Sequence, residues 1–187
     1  MTALLDVVSL ALPGVRLIRP TFFMDERGYF GEVFQTSRFA AAGVDSVFVQ
    51  DNQIYSEKRF TLRGLHYQAP PAAQAKLVRA LRGRAYVVAV DIRRGSPSFG
   101  QHVGQEISAM GGEQIFIPAG FADGFLTLDP QTEMLFRVDQ FYDPASERGV
   151  NWRDPALGIK WPVPLGQAVV SVRDVEELML AEQPDLL

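Results

Sequence analysis

The chain has 187 residues, of which 47% are hydrophobic and 21% charged, and its formal net charge is −4 at pH 7. This composition is that of an ordinary globular protein, and the acidic balance gives no reason to expect nucleic acid as a partner. The absence of cysteine excludes disulfides, thiolate catalysis and cysteine-ligated zinc, and two histidines are too few for a multi-histidine metal cluster within one chain. We therefore expect no metal and, from the length, a single domain over residues 1–187.

The first twelve residues are apolar but are not expected to form a signal peptide or a membrane span. They contain Asp6, lack a basic region, and are too short to cross a bilayer. We expect either a short helix or an extension that docks on another chain. The other apolar runs have the length of strands, so the sequence predicts a soluble cytoplasmic protein that does not bind membranes.

In the first third of the chain, strands are predicted over residues 15–20, 29–34 and 47–50. A turn signal at residues 25–28 separates the first two of them. Thr36 or Ser37 can cap a short helix over residues 37–42, which Gly43 ends. Residues 52–58 are predicted to be a polar loop.

From residue 62 onward, short strands recur about every ten residues, with Gly/Pro turns between them and no helical pattern. They are predicted over residues 62–68, 76–82, 85–93, 100–107, 114–117, 124–128 and 134–141. This spacing favours an antiparallel sandwich or barrel, and we predict an all-β double-stranded jelly roll. A short helix is predicted over residues 174–183, with Asp174 as its N-cap.

The most informative stretch is residues 61–79, where Arg63, His66 and Lys76 fall on two consecutive predicted strands. Simple alternation would place Arg63 and His66 on opposite faces of the first strand. These residue types can polarise and deprotonate a carbonyl compound. The same pattern also fits a half-buried hairpin with two exposed cations.

Five motifs in the chain resemble the dTDP-4-dehydrorhamnose 3,5-epimerase family. They are residues 63–68, 76–79, 90–97, 117–121 and 154–159, and the similarity runs in the family's order from about Pro13 to Asp174. The resemblance implies a cupin-type jelly roll and a homodimer in which N-terminal strands reach across to the partner. It also implies epimerisation, without a cofactor, of a nucleoside-diphosphate 4-keto-6-deoxyhexose in a deoxysugar pathway.

The chemistry of such a reaction has three requirements. A 4-keto sugar is acidic at C3 and C5, so inversion needs a base on one face, an acid on the other and a cation for the enolate oxygen. The resemblance implies His66 as the base, Asp174 as the carboxylate that orients its ring, and Lys76 as the enolate stabiliser. Alternatively, Asp174 is only a helix cap and Lys76 only a solvated strand lysine.

Two positions depart from the family pattern. Asp123 stands where the family has a histidine that helps to polarise the carbonyl, and Phe136 stands where it has an acid tyrosine. Because an ionised Asp123 would repel an enolate, we expect it to be protonated, to pair with Lys76 or Arg63, or to meet a different substrate. Without the tyrosine, the proton must come from Tyr67, Tyr29 or water, and inversion of only C3 or only C5 becomes an option.

The resemblance also implies a set of substrate-binding residues. They are Arg27 and Arg63 for the diphosphate, Tyr142 and Glu147 beside the base, and Glu32, Gln50 and Asn52 near the nucleotide and sugar. For each arginine alone, a surface salt bridge is the simpler interpretation. Two functions therefore stay open: an epimerase, or a non-catalytic nucleotide-sugar-binding member of the family. A metal-dependent oxygenase or isomerase is disfavoured by the histidine count.

Overall fold

A computed structural model describes residues 4–187, apart from the side chain of Leu165. The strands in this part of the chain are β1 (Leu5–Ser9), β2 (Arg16–Pro20), β3 (Phe23–Asp25), β4 (Gly28–Phe30), β5 (Gln50–Ser56), β6 (Leu62–Gln68), β7 (Lys76–Arg82), β8 (Arg84–Asp91), β9 (His102–Ser108), β10 (Gln114–Ile117), β11 (Phe121–Thr127), β12 (Thr132–Val138) and β13 (Glu147–Gly149). The helices are α1 (Thr36–Ala41) and α2 (Val172–Glu176), with 3₁₀ turns at Leu165–Gln167 and Leu180–Glu182.

The strands form two antiparallel sheets that face each other. The six-stranded sheet has the order β1-β2-β10-β7-β12-β5, and the five-stranded sheet has the order β13-β6-β11-β8-β9. Strands β3 and β4 form a separate hairpin. Because consecutive strands from β5 to β8 alternate between the sheets, and β10 to β13 do so again, the architecture is a jelly roll. The predicted all-β fold is therefore confirmed.

Apart from a smaller apolar cluster around Phe39 of α1, two apolar layers hold these two sheets. The layer between them is built from inward residues of both sheets, such as Val78, Val87, Phe125 and Met134. The second layer lies on the outer face of the five-stranded sheet, where the C-terminal segment contributes Trp152 and other buried side chains. That segment also carries α2, and it therefore brings Asp174 against β6.

A bulge in β6 changes which side chains face the interior. Asp123 of β11 pairs with His66, but Phe125, only two residues on, pairs with Arg63. Because directly opposed residues share a face, Arg63 and His66 both face inward. The prediction that they lie on opposite faces is wrong, since the extra residue reverses the alternation along β6.

The predicted polar loop over residues 52–58 is also wrong, because Gln50–Ser56 is the edge strand β5. All seven of its residues pair with β12. The alternating apolar pattern of a strand is missing from β5, because its residue Asn52 lines a cavity and does not pack in the apolar core.

The structure also decides three local questions at the two ends of the chain and at α1. Of the two alternatives for the N-terminal residues, the helix is excluded because residues 5–9 form strand β1, and residues 1–3 lie outside the described part. The side chain of Gln35 caps α1, not Thr36 or Ser37. The C-terminal helix is shorter than predicted and its N-cap is Ser171, not Asp174. None of the helices within residues 4–187 has the length and hydropathy needed to span a bilayer.

Candidate active site

A cavity of about 530 Å³ opens between the two sheets at one end of the jelly roll. This volume lies in the range of small-molecule sites, roughly 300–1,000 Å³. The side chains around it include all five predicted catalytic positions: His66, Lys76, Asp123, Phe136 and Asp174. Four of the predicted substrate-binding residues also line it: Asn52, Arg63, Tyr142 and Glu147.

His66 and Asp174 form a hydrogen-bonded pair on one wall of this cavity. The distance from His66 Nε2 to Asp174 Oδ1 is 2.8 Å, and the Asp174 side chain is buried. The other carboxylate oxygen of Asp174 accepts a hydrogen bond of 3.2 Å from the Gly64 N–H in the bulge. Because Ser171 takes the N-cap role, both Asp174 oxygens are available for these contacts.

This environment keeps Asp174 ionised. Burial alone would raise its pKa, but the hydrogen bond and charge of His66, with the hydrogen bonds from Gly64 and Ser171, outweigh burial and hold the pKa below its usual range. An ionised carboxylate accepts the proton of Nε2, so Nδ1 is the ring nitrogen left to take up a proton. The His66 side chain is 31% exposed and faces the cavity.

Lys76 and Asp123 meet at the floor of the cavity. Lys76 rises from β7 in the six-stranded sheet, and its ammonium donates a hydrogen bond to Asp123 Oδ1 on β11 in the opposite sheet. The same ammonium lies 3.4 Å from the carbonyl oxygen of His66. Of the three expected states of Asp123, the structure therefore shows the pair with Lys76, which offsets the desolvation of both charges.

Phe136 belongs to an apolar wall opposite His66. It lies on β12 in the other sheet, is 8% exposed, and its ring centroid is 5.7 Å from that of Phe125. Ile54 and Val138 extend this wall. A sugar ring between the sheets would thus have the imidazole on one side and a surface without an ionisable proton on the other.

Neither tyrosine considered as a replacement acid points its hydroxyl into the cavity as a free donor. The hydroxyl of Tyr67 donates to Gln183 Oε1 at 3.3 Å, and burial raises the pKa of Tyr67 to about 12. Tyr29 lies in the β3–β4 hairpin, stacks on Phe22, and is not among the residues that line the cavity.

The mouth of the cavity carries a polar cluster. Glu147 accepts hydrogen bonds from the Tyr142 hydroxyl at 2.8 Å and from Arg173 at 3.0 Å. Burial would raise the pKa of Glu147, but these two donors outweigh it and lower the pKa. Sequence reasoning missed Arg173, although its position directly before Asp174 was an available signal.

Three predicted binding residues are not brought into the cavity lining. Arg27 sits in the β3–β4 turn, where it pairs with Asp25 at 2.6 Å, and Glu32 pairs with Arg38 at 2.7 Å. Gln50 adjoins the site, because its amide donates to Asn52 at 2.8 Å.

Residues 4–187 contain no group of three or more His, Asp or Glu side chains placed to hold a metal ion.

Comparison with known proteins identifies related sequences and folds. The sequence model of the dTDP-4-dehydrorhamnose 3,5-epimerase family matches residues 9–182. A dTDP-4-dehydrorhamnose 3,5-epimerase from Sinorhizobium fredii is 46% identical over 176 residues, which are 94% of this chain and 90% of that protein.

Solved structures agree with the sequence comparison. A dTDP-6-deoxy-D-glucose-3,5-epimerase from Legionella pneumophila, in complex with dTDP-4-keto-L-rhamnose, superposes with a TM-score of 0.90 at 38% identity, covering 95% of this chain and 94% of that one. A 3′-monoepimerase from Streptomyces bikiniensis, in complex with dTDP-quinovose, superposes with a TM-score of 0.85 at 35% identity, covering 92% of this chain and 86% of that one. The likeness confirms the cupin-type jelly roll.

Proposed function

Since the chain belongs to the dTDP-4-dehydrorhamnose 3,5-epimerase family, we infer that it is an isomerase that epimerises a nucleoside-diphosphate 4-keto-6-deoxyhexose. The relatives are named as enzymes, which supports this interpretation over a non-catalytic binding module. Because neighbouring structures contain dTDP sugars or TDP, we propose that the nucleotide is dTDP.

The observation that carries the proposal is the His66–Asp174 pair facing the interior of the cavity. In the proposed reaction, Nδ1 of His66 removes a proton from the carbon next to the C4 ketone. The electrons of that C–H bond form a carbon–carbon double bond, and the ketone oxygen takes up the negative charge, which the Lys76 ammonium stabilises. No cofactor is part of this proposal.

Return of the proton to the opposite face completes the inversion. In this chain the apolar wall that includes Phe136 faces the base, so we propose that water in the open cavity supplies this proton. A missing general acid typically costs about 10²–10⁴ in rate. The proposal therefore includes slow turnover relative to an enzyme with a tyrosine at this position.

The nucleotide is proposed to lie toward the mouth. Arg63 is suited to the diphosphate, since its planar guanidinium matches phosphate oxygens and it faces the cavity. The half-exposed ring of Tyr142 would stack on the base, beside Glu147. Arg173 joins this group through its hydrogen bond to Glu147.

We further propose a homodimer in which Arg27 and Glu32 act in the cavity of the partner. Both residues are predicted substrate ligands, yet neither lines the cavity of its own chain. The β3–β4 hairpin that carries Arg27 exposes Met24 and Phe30, which are 70% and 73% accessible. The proposal also includes a cytoplasmic location, with which the lack of cysteine is compatible.

Proton NMR of dTDP-4-keto-6-deoxyglucose in D2O tests the reaction directly. We expect exchange of a sugar proton next to the ketone, and we expect His66→Ala to slow it by about 10²-fold or more, because the base is lost. His102→Ala is the matched control, since this histidine lies on β9 and does not line the cavity. Equal exchange by the parent and His66→Ala, or none by the parent, would contradict the proposed function.

A further inference from the structure

Asp123 has one carboxylate oxygen that receives no hydrogen bond from residues 4–187. Oδ1 accepts from the Lys76 ammonium, whereas no donor within this part of the chain reaches Oδ2. The side chain is only 4% exposed, and it lines the cavity. Among the described residues, the buried side-chain atoms that lack a hydrogen-bond partner are Arg79 Nε and Trp152 Nε1, so Oδ2 of Asp123 is open to the cavity, where a donor on a bound molecule can complete this group.

The neighbouring ammonium offers the complementary group. Lys76 has three N–H donors, of which one is directed to Asp123 and one to the carbonyl oxygen of His66. The third donor is not used by residues 4–187. The floor of the cavity therefore presents a hydrogen-bond donor and an acceptor side by side, held together by their opposite charges.

This arrangement matches an α-hydroxyketone. In a 4-keto-6-deoxyhexose, the carbon on one side of the ketone, C3, bears a hydroxyl, while the carbon on the other side, C5, bears a methyl group and the ring oxygen. The ketone can accept from Lys76, and only the C3 side supplies a proton donor for Asp123. Reversing the sugar would place a methyl group, which cannot donate a hydrogen bond, against Oδ2 of Asp123.

We propose that Lys76 and Asp123 together bind the C4 ketone and the C3 hydroxyl, and that Asp123 thereby directs proton abstraction by His66 to C3 rather than C5. Asp123 is then the specificity-determining residue of the site. This inference rests on the proposed function and narrows it to inversion at one carbon.

The stabilisation of the intermediate follows the same contacts. When His66 removes the C3 proton, the electrons of the C–H bond form a C3–C4 double bond and the C4 oxygen becomes anionic next to Lys76. The C3 hydroxyl keeps its proton and continues to donate to Asp123. For His66 to reach C5, the sugar would have to reverse in the cavity, and the enolate formed in that orientation lacks this second hydrogen bond. Because the ion pair is neutral overall, the carboxylate charge is offset as the enolate forms.

The test measures exchange of the C3 and C5 protons separately, with dTDP-4-keto-6-deoxyglucose in D2O. For the parent we expect C3 exchange to be at least about tenfold faster than C5 exchange, which corresponds to one hydrogen bond to a charged group. Asp123→Ala should slow C3 exchange by about tenfold or more while changing C5 exchange by less than about threefold. Asp123→Asn keeps an acceptor oxygen and should retain part of the preference.

Two controls distinguish a loss of substrate recognition by Asp123 from misfolding of an Asp123 variant. Asp129→Asn removes a carboxylate that pairs with Arg84 outside the cavity, and it should retain the parent ratio of C3 to C5 exchange. The second control changes the substrate instead of the protein: a 3-deoxy analogue lacks the hydroxyl, so the parent should lose its preference for C3. This arm does not depend on how well any Asp123 variant folds.

The possible results distinguish a failure of this inference from a failure of the proposed function. Exchange at C5 as fast as at C3 in the parent, or an Asp123→Ala variant with the parent ratio, would overturn this inference and leave the proposed function standing. An unchanged preference with the 3-deoxy analogue would do the same. Exchange at neither carbon would overturn both.

Discussion

The carboxylate of Asp174 lies between the Gly64 N–H and the His66 ring, and both contacts favour its ionised form. Burial opposes ionisation, yet the contacts with His66, Gly64 and Ser171 outweigh burial and hold the pKa of Asp174 below the ordinary value of 3.8. A group with a lowered folded-state pKa stabilises the fold above its unfolded pKa. That contribution is lost as the pH falls through the folded-state pKa, because the unfolded chain takes up the proton first.

Replacement of Asp174 should therefore change the pH dependence of stability. We expect the free energy of unfolding of the parent to fall more steeply than that of Asp174→Asn as the pH drops from about 6 to about 3, since only the parent has this carboxylate to protonate. Urea unfolding at both pH values measures the difference. Asp143→Asn, at a half-buried carboxylate outside the cavity whose hydrogen bonds also lower its pKa, shows what an aspartate outside the pair contributes. Parallel pH dependences of the parent and Asp174→Asn would contradict the expectation.

The loss of an acid at position 136 leaves the shape of the site intact. Phe136 retains the aromatic ring and packs near Phe125, so its ring fills the wall of the cavity opposite His66. What the Phe136 side chain lacks is a hydroxyl group that could donate a proton to the sugar. The pair of Lys76 and Asp123 at the floor is the other departure, and there the charge of the carboxylate is balanced by its partner.

At the scale of elements, the bulge in β6 is the feature that assembles the site. It places Arg63 and His66 on the same inward face and exposes the Gly64 N–H to Asp174. Gly64 has φ +117°, a conformation that glycine adopts readily and other residues rarely do. A Cβ added there would lie 2.7 Å from Cα of Gly124, so β6 and β11 approach each other at two glycines.

Gly64→Ala should therefore destabilise the protein by about 2 kcal/mol or more, because the side chain requires both a disfavoured φ and movement of the β11 backbone. We also expect slower sugar-proton exchange, since Asp174 and His66 depend on this backbone. Gly95→Ala is the matched control: nothing lies within 4 Å of its added Cβ. Urea denaturation of both variants compares them, and equal midpoints would show that the bulge tolerates a side chain.

At the scale of the whole molecule, the predicted catalytic and substrate-binding residues lie in two separate regions. His66 and Asp174 share a cavity, whereas Arg27 lies in a hairpin whose residues do not line it. In the proposed homodimer, each working site combines the cavity of one subunit with the hairpin of the other. The Arg27 and the His66 of one site therefore come from different subunits.

Mixing variants should reveal this arrangement. Half of the dimers in an equal mixture of Arg27→Ala and His66→Ala contain one copy of each, and one of their two cavities has both residues intact. We therefore expect the co-expressed mixture to recover about a quarter of the parent exchange activity. A mixture of His66→Ala and Asp174→Asn should recover none, because these residues belong to the same cavity. Recovery no greater than the sum of the separate variants would show that Arg27 acts within its own subunit or not at all.

Local patterns were sufficient to predict much of the fold. The strands at residues 62–68, 76–82 and 114–117 have the predicted boundaries, since alternation and Gly/Pro turns act over a few residues. The family motifs also pointed to His66, Lys76 and Asp174, which line one cavity. That the chain forms a single domain stays a prediction, as do the roles of these residues in catalysis.

The sequence by itself thus determined the all-β class, most strand positions and the residue types available for proton transfer. Only the tertiary structure decided that Arg63 shares a face with His66, that β5 is a strand, and that Asp123 pairs with Lys76. The physical reason is that these outcomes depend on strand pairing between distant segments. A bulge, an edge position or a contact across two sheets leaves no periodic signal in the residues that form it.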